Sequence, residues 1–496
     1  MRLYGRKRID TDFAGPLLRI EIAMQTISSS FSTSLFSVLV LSIAVVGAPL
    51  FVGSTAPMGT TLWCIVLAGG LAFGDVAALR RSQRVWIWLV VAVVAAYSAV
   101  VFAQLLPPSR TGLPAHPIWA EASALLGRPL SPAVSVLRDQ SLFAVASPLA
   151  ALLSGLLGYV IGADRVRANR IFQVVAWSGA ALALFAIVSF VINPVKLFWW
   201  DKVAYVGVLT TPFVNRNAAA LYYGVCSVVG ALLFWQMVRP RLPAGPLTPS
   251  GLIQSLLRLL HFQGLVRAAP PLLCLSAVLL TASRAGTVLA LAGQVLAFTL
   301  YFWRDLPRRV GPAAALVLGG LLAVIVLQTL GGSAGTRFNE HGLVDEGRMD
   351  TYRSTVRMIS DYPWLGVGLG GFPFAFPAYR TGSVWGVWDR AHNVLLEIAA
   401  EGGLPLAGVV VLAWFLVLLL LVNGVRRRRR DTMYPVAALS LTAMALVHAT
   451  IDFSLQIPGF AIPTMAVIGI GAAQSFATRA PDGEIWAAGI KTPKTG

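Results

Sequence analysis

Apolar runs of about 20 residues, separated by short basic clusters, recur along this whole chain. That length crosses a hydrocarbon core as a helix, and in lipid only helices and closed barrels satisfy every backbone group. The runs lie near 33–52, 60–79, 85–106, 142–163, 171–192, 216–238, 268–282, 286–303, 311–329, 404–424, 434–452 and 457–476. The seventh is short and begins at Pro270-Pro271. Only 12% of the residues are charged and 57% are hydrophobic, where a soluble protein carries roughly 25% charged residues. The expected fold class is an all-α polytopic membrane protein with about 12 transmembrane helices.

The net charge of +18 would fit a nucleic-acid binder if it formed a patch. Instead the charges sit between the apolar runs, so no nucleic-acid partner is expected. With the N-terminus in the cytoplasm, 26 Lys/Arg fall inside and 13 outside. A shift by one helix would put Arg426 to Arg430 outside, against the positive-inside rule. Both termini are therefore expected in the cytoplasm, and the basic excess in contact with anionic membrane lipids. The first apolar run reads as a retained span, because eleven more follow it. Cys64, Cys226 and Cys274 all fall within apolar runs and give no disulfide framework. This divides the chain into a cytoplasmic tail (1–32), N-terminal transmembrane helices (33–192), a main membrane domain (193–476) and a disordered cytoplasmic tail (477–496).

Three outer segments are long enough to carry function. Residues 107–141 are proline-rich and include His116. Residues 193–215 carry Trp199-Trp200-Asp201-Lys202, then Thr211-Pro212-Phe213-Val214-Asn215-Arg216-Asn217. Residues 330–403 form the largest, and a structureless loop of that length is improbable. The spacing of Met349, Tyr352, Val356 and Ile359 predicts a helix there, stopped at Asp361-Tyr362-Pro363. On the inner side, leucines 252, 256, 259, 260 and 265 among arginines predict an amphipathic surface helix.

Candidate chemistry concentrates on the outer side. Arg284, in Thr281-Ala282-Ser283-Arg284-Ala285-Gly286, lies in a hairpin too short to leave the membrane. It is either an anion clamp or an arginine reaching lipid headgroups. Arg216, between Asn215 and Asn217, starts the sixth run, where a helix N-terminus favours anions. It is an ordinary capped start or, with Arg284, half of a diphosphate site. His392 can act as a base near neutral pH, oriented by Asp389, Glu397 or Glu401, or it is a structural histidine at a loop–helix junction. His448 and Asp452, four residues apart, form a proton relay, a hold on a sugar hydroxyl, or a mutually satisfied pair. Gly366-Val367-Gly368-Leu369-Gly370-Gly371 lacks the Lys-Ser/Thr of a phosphate loop and reads as a tight turn. No Cys/His cluster has metal-ligand spacing, so no metal is expected.

Together these motifs resemble the O-antigen ligase / Wzy-type polysaccharide polymerase superfamily of bacterial envelope glycan enzymes. The resemblance runs over roughly 170–475. It rests on Pro212 to Asn217, Thr281 to Gly286, Arg348 to Tyr379, Ala391-His392-Asn393, Ala400 to Pro405 and His448 to Pro458.

The resemblance implies a GT-C-like glycosyltransferase in the bacterial inner membrane with its active site facing the periplasm and a large folded extracytoplasmic loop near 330–403. It implies an undecaprenyl-diphosphate-linked oligosaccharide as donor, held by Arg216 and Arg284. His392 would act on a glycan, lipid A core or protein acceptor. Asn215, Asn217, Ser283, Arg348, Asp389, Arg390, Asn393, Glu397, His448 and Asp452 are candidate supporting residues. No cofactor is implied, inversion by single displacement is expected, and a chain-length regulator is a candidate partner. Polymerisation of O-antigen or exopolysaccharide units is the favoured activity, with ligation to lipid A core or protein O-glycosylation as alternatives. A transporter of lipid-linked glycans fits less well, because almost every charge lies at a span end. The acids at Glu340, Asp345, Glu346 and Asp350 suit sugar hydroxyls, or salt bridges to Arg348 and Arg353, better than phosphate.

Overall fold

A computed structural model of the protein describes residues 35–138, 140–242, 248–258, 262–306, 320, 346–382 and 386–476. Among these residues the fold is helical apart from one two-stranded hairpin, Lys196–Leu197 with Trp200–Asp201. The long helices are α1 (Leu35–Leu50), α2 (Pro57–Ala72), α3 (Arg81–Leu105), α4 (Ala146–Gly162), α5 (Arg165–Ile192) and α6 (Arg216–Val238). They continue with α7 (Phe262–Leu280), α8 (Arg284–Phe302), α9 (Glu346–Asp361), α10 (Val394–Arg427), α11 (Met433–Ala449) and α12 (Pro458–Gln474).

Seven of the described helices are long and apolar enough to cross a membrane. They are α3, α5, α7, α8, α10, α4 extended back to Ser141, and α6 extended to Arg241. Helices α1, α2, α11 and α12 are shorter and apolar. Eleven of the twelve apolar runs thus coincide with helices. The run at 311–329 apart from residue 320, both tails and residues 330–345 lie outside the described residues. The protein is a multi-pass membrane protein.

Helix α6 is the centre of the bundle: 89% of its most apolar stretch is buried, against 17% for α3, which leaves α3 facing lipid. Helices α5, α7, α8 and α11 surround α6. Small residues permit this, because lipid offers no hydrophobic drive between helices and contact must come from close packing. A Cβ on Gly286 would lie 2.4 Å from the Ala220 Cβ, and one on Gly158 of α4 2.4 Å from the Ala466 carbonyl of α12.

Two sequence expectations need correction. Helix α7 begins at Phe262, not near 268, and runs through Pro270 and Pro271. Two prolines remove two hydrogen bonds from a helix, yet their rings seat against Gly230 of α6, where a Cβ would be 3.1 Å from the Pro271 Cδ. The amphipathic inner segment is a short helix, Pro249–Leu257; residues 259–261, with Leu259 and Leu260, lie outside the described residues, and Leu265 belongs to α7.

The described part of the third outer segment folds as expected. Helix α9 ends at Asp361, two residues before Pro363. Its buried Met358 and Ile359 join Val136, Val367, Phe372, Phe376 and Ala399 in a separate apolar cluster. Helix α10 is broken at Gly403 (φ 82°). The glycine turn after Pro363 closes that break. Val367 N donates to the Ala400 carbonyl (2.9 Å), Gly368 N to the Glu401 carbonyl (3.1 Å) and Leu404 N to the Pro363 carbonyl (2.8 Å). Gln104 of α3 donates to the Leu365 and Glu401 carbonyls and accepts from Leu369 N. The turn is a structural clip, as its sequence implied.

A side chain at Gly403 would meet the Trp364 carbonyl oxygen at 2.1 Å. Gly403→Ala is expected to destabilise the protein by about 1–3 kcal/mol, the usual cost of a forced backbone. Gly408→Ala, in open space on the same helix, should be neutral or stabilising by up to about 1 kcal/mol. Thermal unfolding of the two variants in detergent checks the contrast.

Candidate active site

Four separate segments converge at one end of the bundle. Asn215 caps α6, its Oδ1 accepting from Asn217 N (2.7 Å) and Ala218 N (3.4 Å). Ser283 caps α8, accepting from Gly286 N (3.2 Å). The two helix starts are joined, since Ser283 Oγ donates to Asn217 Oδ1 (2.7 Å). Arg216 and Arg284 are the first residues of these two helices, so the N-terminal, positive ends of α6 and α8 sit together with an arginine each. The Arg216 guanidinium lies 5.1 Å over the Tyr205 ring, and its Nε is buried with no hydrogen-bond partner among the described residues.

Asn217 also reaches the third segment: its Nδ2 donates to Asp452 Oδ2 (2.5 Å). Asp452 follows α11 and is 1% exposed. Its Oδ1 lies 3.2 Å from His392 Nδ1 and accepts from Phe453 N (2.8 Å). Arg348 of α9 approaches Oδ2 at 3.8 Å and donates to the neighbouring Ile451 carbonyl (2.8 Å). Burial alone would push the Asp452 carboxyl up. The His392 hydrogen bond and the charges of His448, His392 and Arg348 outweigh it and hold Asp452 well below the usual carboxylate range. An ionised carboxylate only accepts, so His392 Nδ1 carries a proton toward Asp452 and leaves Nε2 as the ring nitrogen not engaged by that acid.

The backbone holds His392 in the left-handed region (φ 53°), unusual for any residue but glycine. Several contacts fix it there. Tyr352 Oη donates to the His392 carbonyl (2.9 Å). Ala391 N donates to Glu397 Oε2 (2.8 Å), and Asn393 Oδ1 accepts from Leu396 N (3.1 Å) at the start of α10. Asn393 Nδ2 donates to the Thr450 carbonyl (3.1 Å). The imidazole meets the rings of Trp388 (5.2 Å) and Phe453 (5.1 Å) edge to face. Its side chain remains 19% exposed, enough to meet a ligand.

Asp452, not Asp389, Glu397 or Glu401, is the acid at His392. Asp389 lies on the surface. Glu397 instead takes Arg390 Nη1 (3.0 Å), Ala391 N and Gln456 Nε2 (3.0 Å), tying the His392 loop to the loop after α11. Glu401 accepts from Phe372 N (2.9 Å). His448 and Asp452 are not a mutually satisfied pair: neither ring nitrogen of His448, which is 1% exposed, has a hydrogen-bond partner among the described residues. The expected Arg353–Asp350 salt bridge is present (2.8 Å), while Glu340 and Asp345 lie outside the described residues.

Sequence reading missed the Ser283–Asn217–Asp452–His392 chain as a unit. The individual residues stood in the motifs, but pairing across 235 positions carries no sequence signal. It also missed the N-terminal turn at Val52–Ser54, which packs on the site: a Cβ on Gly53 would be 2.8 Å from the Phe213 ring. Among the described residues no group of His, Cys, Asp or Glu is arranged to hold a metal.

A family model described as O-antigen ligase matches residues 271–411. The match takes in Ser283, Arg284, Arg348 and the His392–Glu397 loop, and stops before His448 and Asp452. No curated protein matches the chain.

Because the folded-state pKa of Asp452 is depressed, its contribution to stability is complete above the unfolded value of about 3.9 and is lost as pH falls below it. Asp452→Asn should lower the thermal midpoint at pH 7 and flatten the fall that sets in as pH drops below about 4. Parallel acid melting curves for the wild type and variant would refute this assignment.

Proposed function

We propose that the chain joins glycans at the outer face of the bacterial inner membrane, a reading supported by the match of residues 271–411 to the family model described as O-antigen ligase. The donor is an undecaprenyl-diphosphate-linked oligosaccharide, and the favoured activity is polymerisation of O-antigen or exopolysaccharide units. The observation that carries this reading is the hydrogen-bonded chain from Ser283 through Asn217 and Asp452 to His392. It links two arginine-bearing helix starts to a histidine whose tautomer is fixed.

In the proposed reaction, His392 Nε2 takes the proton of the acceptor hydroxyl. The acceptor oxygen attacks the anomeric carbon, and the bond from that carbon to the diphosphate oxygen breaks. The electron pair leaves with the diphosphate, and the configuration inverts. Arg216, Arg284 and the positive ends of α6 and α8 stabilise the growing charge; fixed donors do this without reorganising. Asp452 stays ionised and balances the imidazolium that forms. The topology has both termini in the cytoplasm. The grouping of charge supports it: Arg304 bonds the Arg426 and Arg428 carbonyls, and Arg165 pairs with Asp431, at the end opposite the site.

Ligation to lipid A core is the second reading, favoured by the description of the matched family. Glycan size on the carrier lipid and at the cell surface, after gene deletion, separates the two. Accumulation of single repeat units means a polymerase, and long chains stranded on the carrier mean a ligase. Restoring His392→Ala should leave donor binding intact and lower turnover by about 10²–10⁴-fold, the usual worth of a positioned base. Full rescue by His392→Ala would end this reading.

A further inference from the structure

Beside Arg216 lies a cavity of about 360 Å³, lined by Trp200, Asp201, Lys202, Thr210, Val214 and apolar neighbours including Val52. It is built from the hairpin that holds the Trp-Trp-Asp-Lys sequence, which the reaction above leaves without a role. Val214 is two residues before Arg216. Ala204, also lining the cavity, precedes Tyr205, whose ring lies under the Arg216 guanidinium. The cavity therefore adjoins one of the two arginines assigned to the diphosphate.

Two kinds of donor group would sit next to a diphosphate: the first isoprene units or the first sugar. The cavity walls decide between them. Thr210 is 1% exposed, and its hydroxyl is buried with no hydrogen-bond partner among the described residues. A hydrocarbon chain would leave that hydroxyl unpaired. A hydroxylated ligand satisfies it. The Lys202 ammonium donates to the Pro194 carbonyl (2.9 Å) and the Val208 carbonyl (2.7 Å) and lies 5.8 Å from the Phe190 ring centroid, so its third N–H has no oxygen partner among the described residues. Burial pushes the pKa of this lysine down, so a polar partner at that third donor is favoured. Trp200 is 52% exposed and offers a flat apolar face of the kind a pyranose ring covers. Asp201 is paired with Lys196 at 2.8 Å and keeps an exposed carboxylate edge.

We propose that this cavity binds the sugar attached directly to the donor diphosphate, with Thr210 and Lys202 bonding its hydroxyl or amide groups and Trp200 covering its ring. This assignment rests on the donor reading above and makes residues outside the matched 271–411 segment determinants of donor specificity.

The test compares two probes on the full-length protein in detergent: undecaprenyl diphosphate, and undecaprenyl diphosphate bearing one N-acetylhexosamine. Wild type is expected to bind the sugar-bearing lipid about tenfold tighter, the worth of one or two hydrogen bonds. Thr210→Val and Trp200→Ala should each abolish most of that preference and leave bare-lipid affinity unchanged. Thr210→Val deletes a polar group that lacks a partner, so its thermal midpoint should hold or rise while the preference is lost. A purely structural threonine would show the reverse. Wild type that binds both lipids alike, or neither, overturns the proposal, as does a preference that survives both substitutions. Arg216→Ala with Arg284→Ala tests the underlying reading separately. If that variant keeps bare-lipid affinity while the sugar preference remains sensitive to Thr210, the sugar site stands and the diphosphate assignment falls.

Discussion

A single buried carboxylate organises this protein's polar end. Asp452 is 1% exposed, yet it meets Asn217 of α6, His392 before α10, Arg348 of α9 and the backbone after α11. An isolated charge at that depth would cost several kcal/mol. It persists because both oxygens are occupied and positive groups lie on several sides. The dependence runs both ways. Asn217 can reach Asp452 only because Ser283 holds its other end and Asn215 caps the helix it starts. His392 can reach it only because its backbone is held at a positive φ by Tyr352 and the Glu397 tie. Partly satisfied polar networks are worse than apolar packing, and fully satisfied ones specify one geometry.

The break in α10 serves the same end. A straight helix from 394 to 427 would be roughly 50 Å long at 1.5 Å per residue, far beyond a hydrocarbon core of about 30 Å. Gly403 turns its first ten residues into a separate helix, which carries Glu397 and follows directly on His392. The carbonyls of Ala400 and Glu401, released by the break, are taken up by Val367, Gly368 and Gln104. A lipid-facing helix, α3, thus clamps the polar segment through one glutamine. The clip, the break and the histidine loop form one hydrogen-bonded assembly, so His392 is positioned by helices on several sides.

Much of this was legible in the sequence, and the limits are physical. Apolar period and charge placement gave eleven helices and grouped the basic clusters at one end, because bilayer thickness and backbone satisfaction leave few alternatives. The start of α6 at Arg216 was readable from the Asn cap. The start of α7 was not, since its prolines are tolerated only through contact with Gly230 of another helix. Arg216, Arg284 and His392 stood out because charge near a bilayer is expensive. The partner of His392 was misassigned to local acids. Sequence neighbours are the natural guess, and the acid that reaches Nδ1 lies 60 positions away.

That distance also says where selectivity resides. The His392 loop is bound to the loop after α11 at several points, through Asp452, Asn393 with Thr450, and Glu397 with Gln456. In the proposed reaction any change there would affect transfer from every donor, so these residues are poor places to tune which sugar is taken. The 193–210 hairpin is attached differently. It closes on itself through Lys196 with Asp201 and Lys202 with Val208, and it joins the bundle through backbone contacts such as Leu209 N with the Leu280 carbonyl (3.0 Å). Side chains on its surface can change without disturbing the buried carboxylate. A fold that locks charge at its polar end and leaves a self-contained hairpin beside it would, in the proposed reaction, separate the chemistry of bond transfer from the choice of what is transferred.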